Sequence, residues 1–235
     1  MFETVYSFLH QYYPELILLF TISYLIGSMN FSIIVTKFKK ANDIRTLGSG
    51  NAGFTNVLRS VGAGPAIITF AGDFLKGVLA VYISGLIIQI NPAAAGNMFI
   101  LKCGAYLSGF ACVLGHLYPC FFKFKGGKGI LTSWSATLLI DYRIFLIMIS
   151  IFLIVLIASK IVSLGSLAAA VSYPAITFLV TYFSDCSENF NTAYVLMCTA
   201  IAFIMGAIIA YKHISNIKRL INGTEQKISS KKRGE

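Results

Sequence analysis

Gly115-His116-Leu117-Tyr118-Pro119-Cys120-Phe121-Phe122-Lys123-Phe124-Lys125-Gly126-Gly127-Lys128-Gly129 is where a long apolar run stops and lysines meet glycines. Glycine lets a backbone turn tightly and aim its N–H groups at an anion. Lysine adds a point charge suited to phosphate. At the mouth of an apolar helix, such a segment reads as a phosphate cradle at a membrane surface. The apolar runs on either side of it set the fold class. Of the 235 residues, 57% are hydrophobic and 12% charged, against about 25% charged in a soluble domain. The expectation is therefore an all-α, polytopic membrane protein, a single integral-membrane domain over residues 1–235.

The apolar runs are about 13–37, 66–90, 99–122, 130–158, 166–183 and 193–211, and a crossing takes about 20 residues. The run 130–158 is interrupted at Asp141-Tyr142-Arg143. Reading it as two short helices joined there gives seven crossings; leaving it re-entrant on one side gives five. Residues 49–60 form a short helix that does not cross. All of the 19 basic residues except Lys102 and Arg143 fall on one face, counting Lys76 with that face. Positive residues stay inside, so the N-terminus is expected outside, the C-terminus inside, and residues 222–235 as a basic, mobile cytoplasmic tail. The formal net charge of +10 sits in short breaks between apolar runs. That pattern suits a membrane surface and anionic substrates rather than nucleic acid.

Cys103, Cys112, Cys120, Cys186 and Cys198 lack CxxC spacing and read as small hydrophobes. His10, His116 and His213 are scattered, so no sequence-local metal pair exists. The N-terminal segment carries Glu3 and no basic run, unlike a cleaved signal peptide.

The polar motifs gather on the basic face. Gly48-Ser49-Gly50-Asn51 offers flexible backbone donors, and Thr55, Asn56 and Arg59 recur at helical spacing behind it. His213, Asn216 and Arg219 share one side of a helix in the tail. Asp73 and Lys76, one helical turn apart, read equally as a structural ion pair or a catalytic one. Ser49, Arg59, Lys125, Lys128 and Arg219 bring more donors and charge than one phosphate needs, which suits two phosphorylated ligands.

The segments 48–59 and 115–129, with His213, Asn216-Ile217 and Arg219, resemble those of the bacterial membrane acyl-phosphate:glycerol-3-phosphate acyltransferases. Gly27-Ser28, Asp73-Phe74-Leu75-Lys76-Gly77 and Ser163-Leu164-Gly165 fit as well, whereas Ser215, Ile130-Leu131-Thr132 and Tyr211 depart from the commoner residues. The resemblance implies a seven-helix membrane protein of the bacterial cytoplasmic (inner) membrane, with its site on the cytoplasmic side. It implies transfer of an acyl group from acyl-phosphate to the 1-hydroxyl of glycerol 3-phosphate, giving 1-acyl-glycerol 3-phosphate and phosphate, the first committed step of phospholipid synthesis. It also implies no metal and no cofactor, and functional links to an enzyme that forms acyl-phosphate and to a 1-acyl-glycerol-3-phosphate acyltransferase.

Under that resemblance, the catalytic candidates are Ser49, Arg59, Lys128, His213 and Asn216. Lys128 and the backbone of Gly126, Gly127 and Gly129 would hold a phosphate. Ser49, Gly50 and Asn51 would meet a phosphate or the acyl carbonyl, and Arg59 would clamp glycerol 3-phosphate. Thr55, Asn56, His116, Lys125 and Arg219 would line the substrates, and Glu225 would pair with a basic residue. His116 and His213 are candidate general bases, as is the departing phosphate. The rival class is a transporter of an anionic phosphorylated solute, which would need polar residues on both faces and at mid-depth. A scaffold for other lipid enzymes would not need the lysine–glycine segment.

Overall fold

The structure, a computed structural model, describes residues 2–40, 42–185 and 192–228. Every regular element among them is helical: α1 Phe2–Ser28, α2 Phe31–Lys40, α3 Phe54–Ser60, α4 Ala63–Ile90, α5 Met98–Leu117, α6 Ile130–Ile140, α7 Tyr142–Ser159, α8 Val162–Val180, α9 Thr192–Lys212 and α10 Ile214–Ile221. The chain is thus an all-α, multi-pass membrane protein. Among the described residues, six helical stretches are long and apolar enough to cross a bilayer: 10–39, 63–90, 98–122, 142–159, 162–185 and 192–212. The remaining apolar helix, α6, has 11 residues. At 1.5 Å per residue it is about 16 Å long, roughly half the hydrocarbon thickness. Ile17, Ile67, Leu79, Ile154, Ile157 and Phe203 are all exposed. In a bilayer these side chains meet lipid instead of water, which removes the usual cost of leaving them outside.

Without a hydrophobic drive between helices in lipid, close packing must hold the bundle. Helices α1 and α5 meet through Gly27 and Gly115: a Cβ on Gly27 would collide with the Cys112 carbonyl, and one on Gly115 with the Tyr24 carbonyl. The break between α1 and α2 sits beside this seam. Asn30 is fully buried there, and its Oδ1 accepts from Ser32 Oγ at 2.8 Å and from Ile33 N at 3.2 Å, an N-cap that restarts the helix. The expected single span over 13–37 is therefore two helices in line.

The joint expected at Asp141–Arg143 is a break at Asp141 alone. Its carboxylate accepts from Arg143 N at 2.9 Å and caps α7. Arg143 then bridges Asp141 at 2.6 Å and Asp185 at 2.8 Å. Cys103, Cys112 and Cys198 are buried, as small apolar side chains would be, while Cys186 lies outside the described residues.

The opposite end of the bundle collects the polar segments. After α5 the chain makes a turn at Cys120–Phe122, and Lys123 and Phe124 both take left-handed backbone, φ 56°. That reversal lays residues 125–127 back on the end of α5, where Gly126 N donates to Leu117 O at 3.2 Å and Gly127 N to His116 O at 3.1 Å. Arg45 clamps the outside of the turn: its Nη1 donates to Phe122 O at 2.8 Å and to Lys125 O at 2.9 Å. Asp43 holds the same guanidinium at 2.6 Å. Residues 222–228 of the expected tail turn back to the bundle, with Ile228 N donating to Lys160 O at 2.9 Å. Residues 229–235 of the expected tail lie outside the described residues.

Candidate active site

The segments that the sequence singles out separately meet at this end. Lys128 Nζ donates to Asn216 Oδ1. Asn216 Nδ2 donates to Glu225 Oε1 at 2.7 Å, and Ser163 Oγ donates to the same oxygen at 2.7 Å. Arg219 Nε donates to Glu225 Oε2 at 2.6 Å. Arg59 Nη1 reaches over to Gln226 Oε1 at 2.7 Å. Turn, tail helix, returning tail, α3 and the start of α8 are thus tied by five side-chain contacts through one carboxylate and its neighbour. Helix α10 supplies Asn216 and Arg219 from one side because they are one helical turn apart.

The electrostatics follow from this arrangement. Burial pushes the Lys128 ammonium down to about 8, helped by the nearby charge of Arg219 and opposed by Glu225. Burial acts to raise Glu225, but hydrogen bonds from Ser163, Asn216 and Arg219 outweigh it and hold its carboxyl below the usual carboxylate range. His213 is 3% exposed, and burial brings it down to about 4, with Lys128 adding to the effect. It is neutral at pH 7. Its Nδ1 lies 2.8 Å from Ile209 O. A carbonyl only accepts, so Nδ1 carries the proton and Nε2 keeps a lone pair. The site therefore holds three cations, Lys128, Arg219 and Arg59, against one carboxylate, and next to them a neutral imidazole with an acceptor nitrogen.

Several expected contacts take another form. The Gly126 and Gly127 N–H groups are spent on the end of α5, so the turn cannot offer them to a phosphate. A Cβ on Gly127 would strike His116 Nε2 and Ala52 O, so the glycine is there to let three segments touch. Gly129 has φ 82°, a left-handed residue that starts α6. The Asn56 side chain is buried and turned into its own loop. Its Nδ2 donates to Leu47 O at 2.9 Å, Asn51 O at 3.0 Å and Ile44 O at 3.2 Å, and its Oδ1 accepts from Ser49 N at 3.0 Å. It is the post around which residues 44–51 are wound. Gly50 N is likewise turned inward, to Leu47 O at 2.9 Å.

The Ser49 side chain is exposed, Thr55 and Asn51 are half-buried, and the Lys125 side chain is exposed while its carbonyl is held by Arg45. Arg45, Asp43 and Gln226 escaped sequence reasoning. Their roles depend on chain segments that meet only in the fold, although Asp43 and Arg45 two residues apart are a readable pair. His116 does not join this cluster. It is buried behind the turn, with Nδ1 2.8 Å from Lys76 Nζ.

Residues 17–223 match a family model described as Glycerol-3-phosphate acyltransferase. A protein of that name from Clostridioides difficile (strain 630) is 39% identical over 219 residues, covering 92% of this chain and 97% of the relative. Another, from Thermoanaerobacter pseudethanolicus, is 40% identical over 210 residues, covering 89% and 94%. Among solved structures, the chain is similar to PlsY (YgiH), an integral membrane glycerol 3-phosphate acyltransferase. Its glycerol 3-phosphate form is 32% identical, with a TM-score of 0.72 over 91% of this chain and 96% of that one. Its lysophosphatidic acid form is 31% identical, with a TM-score of 0.69.

Proposed function

The chain belongs to the glycerol-3-phosphate acyltransferase family and is an integral membrane acyltransferase, and from that premise we propose that it moves an acyl group from acyl-phosphate to the 1-hydroxyl of glycerol 3-phosphate. The products are 1-acyl-glycerol 3-phosphate and inorganic phosphate. The observation that carries this reading is the gathering of three cations around one carboxylate: Arg219 binds Glu225 directly, Lys128 is tied to it through Asn216, and Arg59 is held by the neighbouring Gln226. Three cations partly neutralised by one anion leave room for two phosphate-bearing ligands, and a transfer between two anions needs their repulsion offset.

Acyl-phosphate is a mixed anhydride and already activated, so no covalent enzyme intermediate is required. The 1-hydroxyl oxygen attacks the acyl carbonyl carbon, the carbonyl carbon–phosphate oxygen bond breaks, and phosphate leaves with the electron pair. The hydroxyl proton ends on the departing phosphate, either directly or by way of His213 Nε2, whose lone pair is free to orient that hydroxyl. Lys128 holds the donor phosphate, where negative charge grows as the bond breaks. Arg59 and Arg219 hold glycerol 3-phosphate, since a guanidinium fork matches phosphate oxygens. The exposed Ser49 donates to the acyl carbonyl or a phosphate. Holding both reactants in register supplies most of what such a transfer needs.

The basic face is cytoplasmic in this reading, so both water-soluble phosphates reach the site from the cytoplasm of a bacterial inner membrane while the acyl chain stays among the helices. An acyl-phosphate-forming enzyme then supplies the donor, and a 1-acyl-glycerol-3-phosphate acyltransferase takes the product. The test is Lys128→Ala and Arg59→Ala in purified protein. Phosphate release from acyl-phosphate plus glycerol 3-phosphate should fall by about 10²-fold or more in each, and release near the parent rate would end the two-cation assignment.

A further inference from the structure

One buried polar cluster stands behind the site and takes no part in the chemistry above. Asp73, Lys76 and His116 are 1%, 3% and 4% exposed. Charges at such depth must be paired, which accounts for Asp73 with Lys76 but not for the histidine. Lys76 Nζ has three partners: Asp73 Oδ1 at 2.7 Å, His116 Nδ1 at 2.8 Å and Met29 O at 3.1 Å. Asp73 Oδ1 also accepts from Phe31 N at 3.4 Å. The pair therefore binds both ends of the α1–α2 break, and through His116 it binds α5.

The direction of the Lys76–His116 bond follows from valence. An ammonium has three N–H bonds and no lone pair, so all three of its protons are used and it accepts nothing. His116 Nδ1 is the acceptor and carries no proton. The competing arrangement, Nδ1–H donated to Asp73, would span 3.7 Å, too long for a hydrogen bond. The ring's proton is then on Nε2. That nitrogen faces the seam between Ala52 and Gly127, where a Cβ on Gly127 would strike both it and the Ala52 carbonyl. His116 is thus the reverse of His213, whose proton sits on Nδ1.

We propose that Asp73 and Lys76 are positioning residues that fix His116 as the Nε2–H tautomer against the Gly126–Gly129 turn, so that His116 braces the turn that carries Lys128 and is not the general base. Lys76 saturates the only ring nitrogen that could take a proton. The kinetic half of the proposal rests on the acyltransferase reading; the tautomer does not.

The experiment is nitrogen-15 NMR of histidine-labelled full-length protein in detergent. Ring signals come from His10, His116 and His213. The His116 pair is identified by its loss in His116→Gln or, should that variant not fold, by elimination in His10→Gln and His213→Gln. The expected spectrum has a bare Nδ1 without one-bond proton coupling and a proton-bearing Nε2, unchanged between pH 6 and 9. A proton on Nδ1, or a ring that protonates in that range, overturns the proposal. In kinetics, His116→Gln keeps an N–H near the ε position and should lower kcat/KM about tenfold with the pH profile unaltered in shape. A loss of about 10²- to 10⁴-fold in kcat with one limb of the profile gone would mark a general base and overturn it too. Parent protein inactive on acyl-phosphate would refute the reaction while leaving the tautomer result standing.

Discussion

Gly127→Ala adds one methyl group at the most crowded point behind the site. The new Cβ would overlap His116 Nε2 and the Ala52 carbonyl and lie 3.0 Å from His116 Cε1. None of these can swing away cheaply. The ring is held by Lys76 at 2.8 Å, and Ala52 is fully buried with its carbonyl accepting from Asn30 Nδ2 at 3.4 Å. The turn itself must move. Overpacking of this kind costs about 1–3 kcal/mol of stability. Because Lys128 is the next residue, a shift of about 1 Å would also misplace its ammonium, at about 10²-fold in rate, or about 2.7 kcal/mol of barrier.

The assay pairs thermal unfolding in detergent with phosphate release from acyl-phosphate and glycerol 3-phosphate. Gly127→Ala should unfold at lower temperature and lose about two orders of magnitude in kcat/KM. Gly85→Ala is the control, because a Cβ there meets nothing within 4 Å and a helical glycine replaced by alanine gains about 0.5–1 kcal/mol. A Gly127→Ala protein with parental melting and parental rate would refute the claim that three segments are in contact at this residue.

Three further outcomes are expected. Free Lys128 loses its proton as pH rises through about 8, so kcat/KM should fall about tenfold per pH unit above that, and Lys128→Arg should carry the limb upward because a guanidinium stays charged. Glu225→Gln removes the charge that helps keep Lys128 protonated and the acceptor of Arg219; the same limb should begin at lower pH, read from the kcat/KM profile. Arg45→Ala frees the carbonyls of Phe122 and Lys125 and should raise proteolytic nicking at residues 120–125 together with KM for acyl-phosphate, with kcat changed less.

How far the sequence led depended on whether a feature was local. Hydropathy located every long helix because a membrane span is a property of consecutive residues. The run expected at 99–122 appears as Met98–Leu117 plus the turn that follows, and the charge pair near 141 marks a real joint. The α1–α2 break was not visible, because Asn30 interrupts a span only where Ala52 and the Asp73–Lys76 pair supply partners from elsewhere in the chain. The same distinction runs through the site. The helical spacing of Asn216 and Arg219 is local and was legible, and so was the need of Glu225 for a cation. That Gly126 and Gly127 direct their N–H groups at α5 rather than outward depends on two left-handed residues, Lys123 and Phe124, and neither is glycine. Composition suggested free backbone donors there; the path of the chain decided otherwise.

The most direct test of the reaction is a donor-and-acceptor assay on the purified protein in detergent. The account predicts that acyl-phosphate is consumed only when glycerol 3-phosphate is present, with 1-acyl-glycerol 3-phosphate and phosphate appearing in a one-to-one ratio. No consumption of acyl-phosphate by folded protein, together with uptake of glycerol 3-phosphate into proteoliposomes, would contradict it.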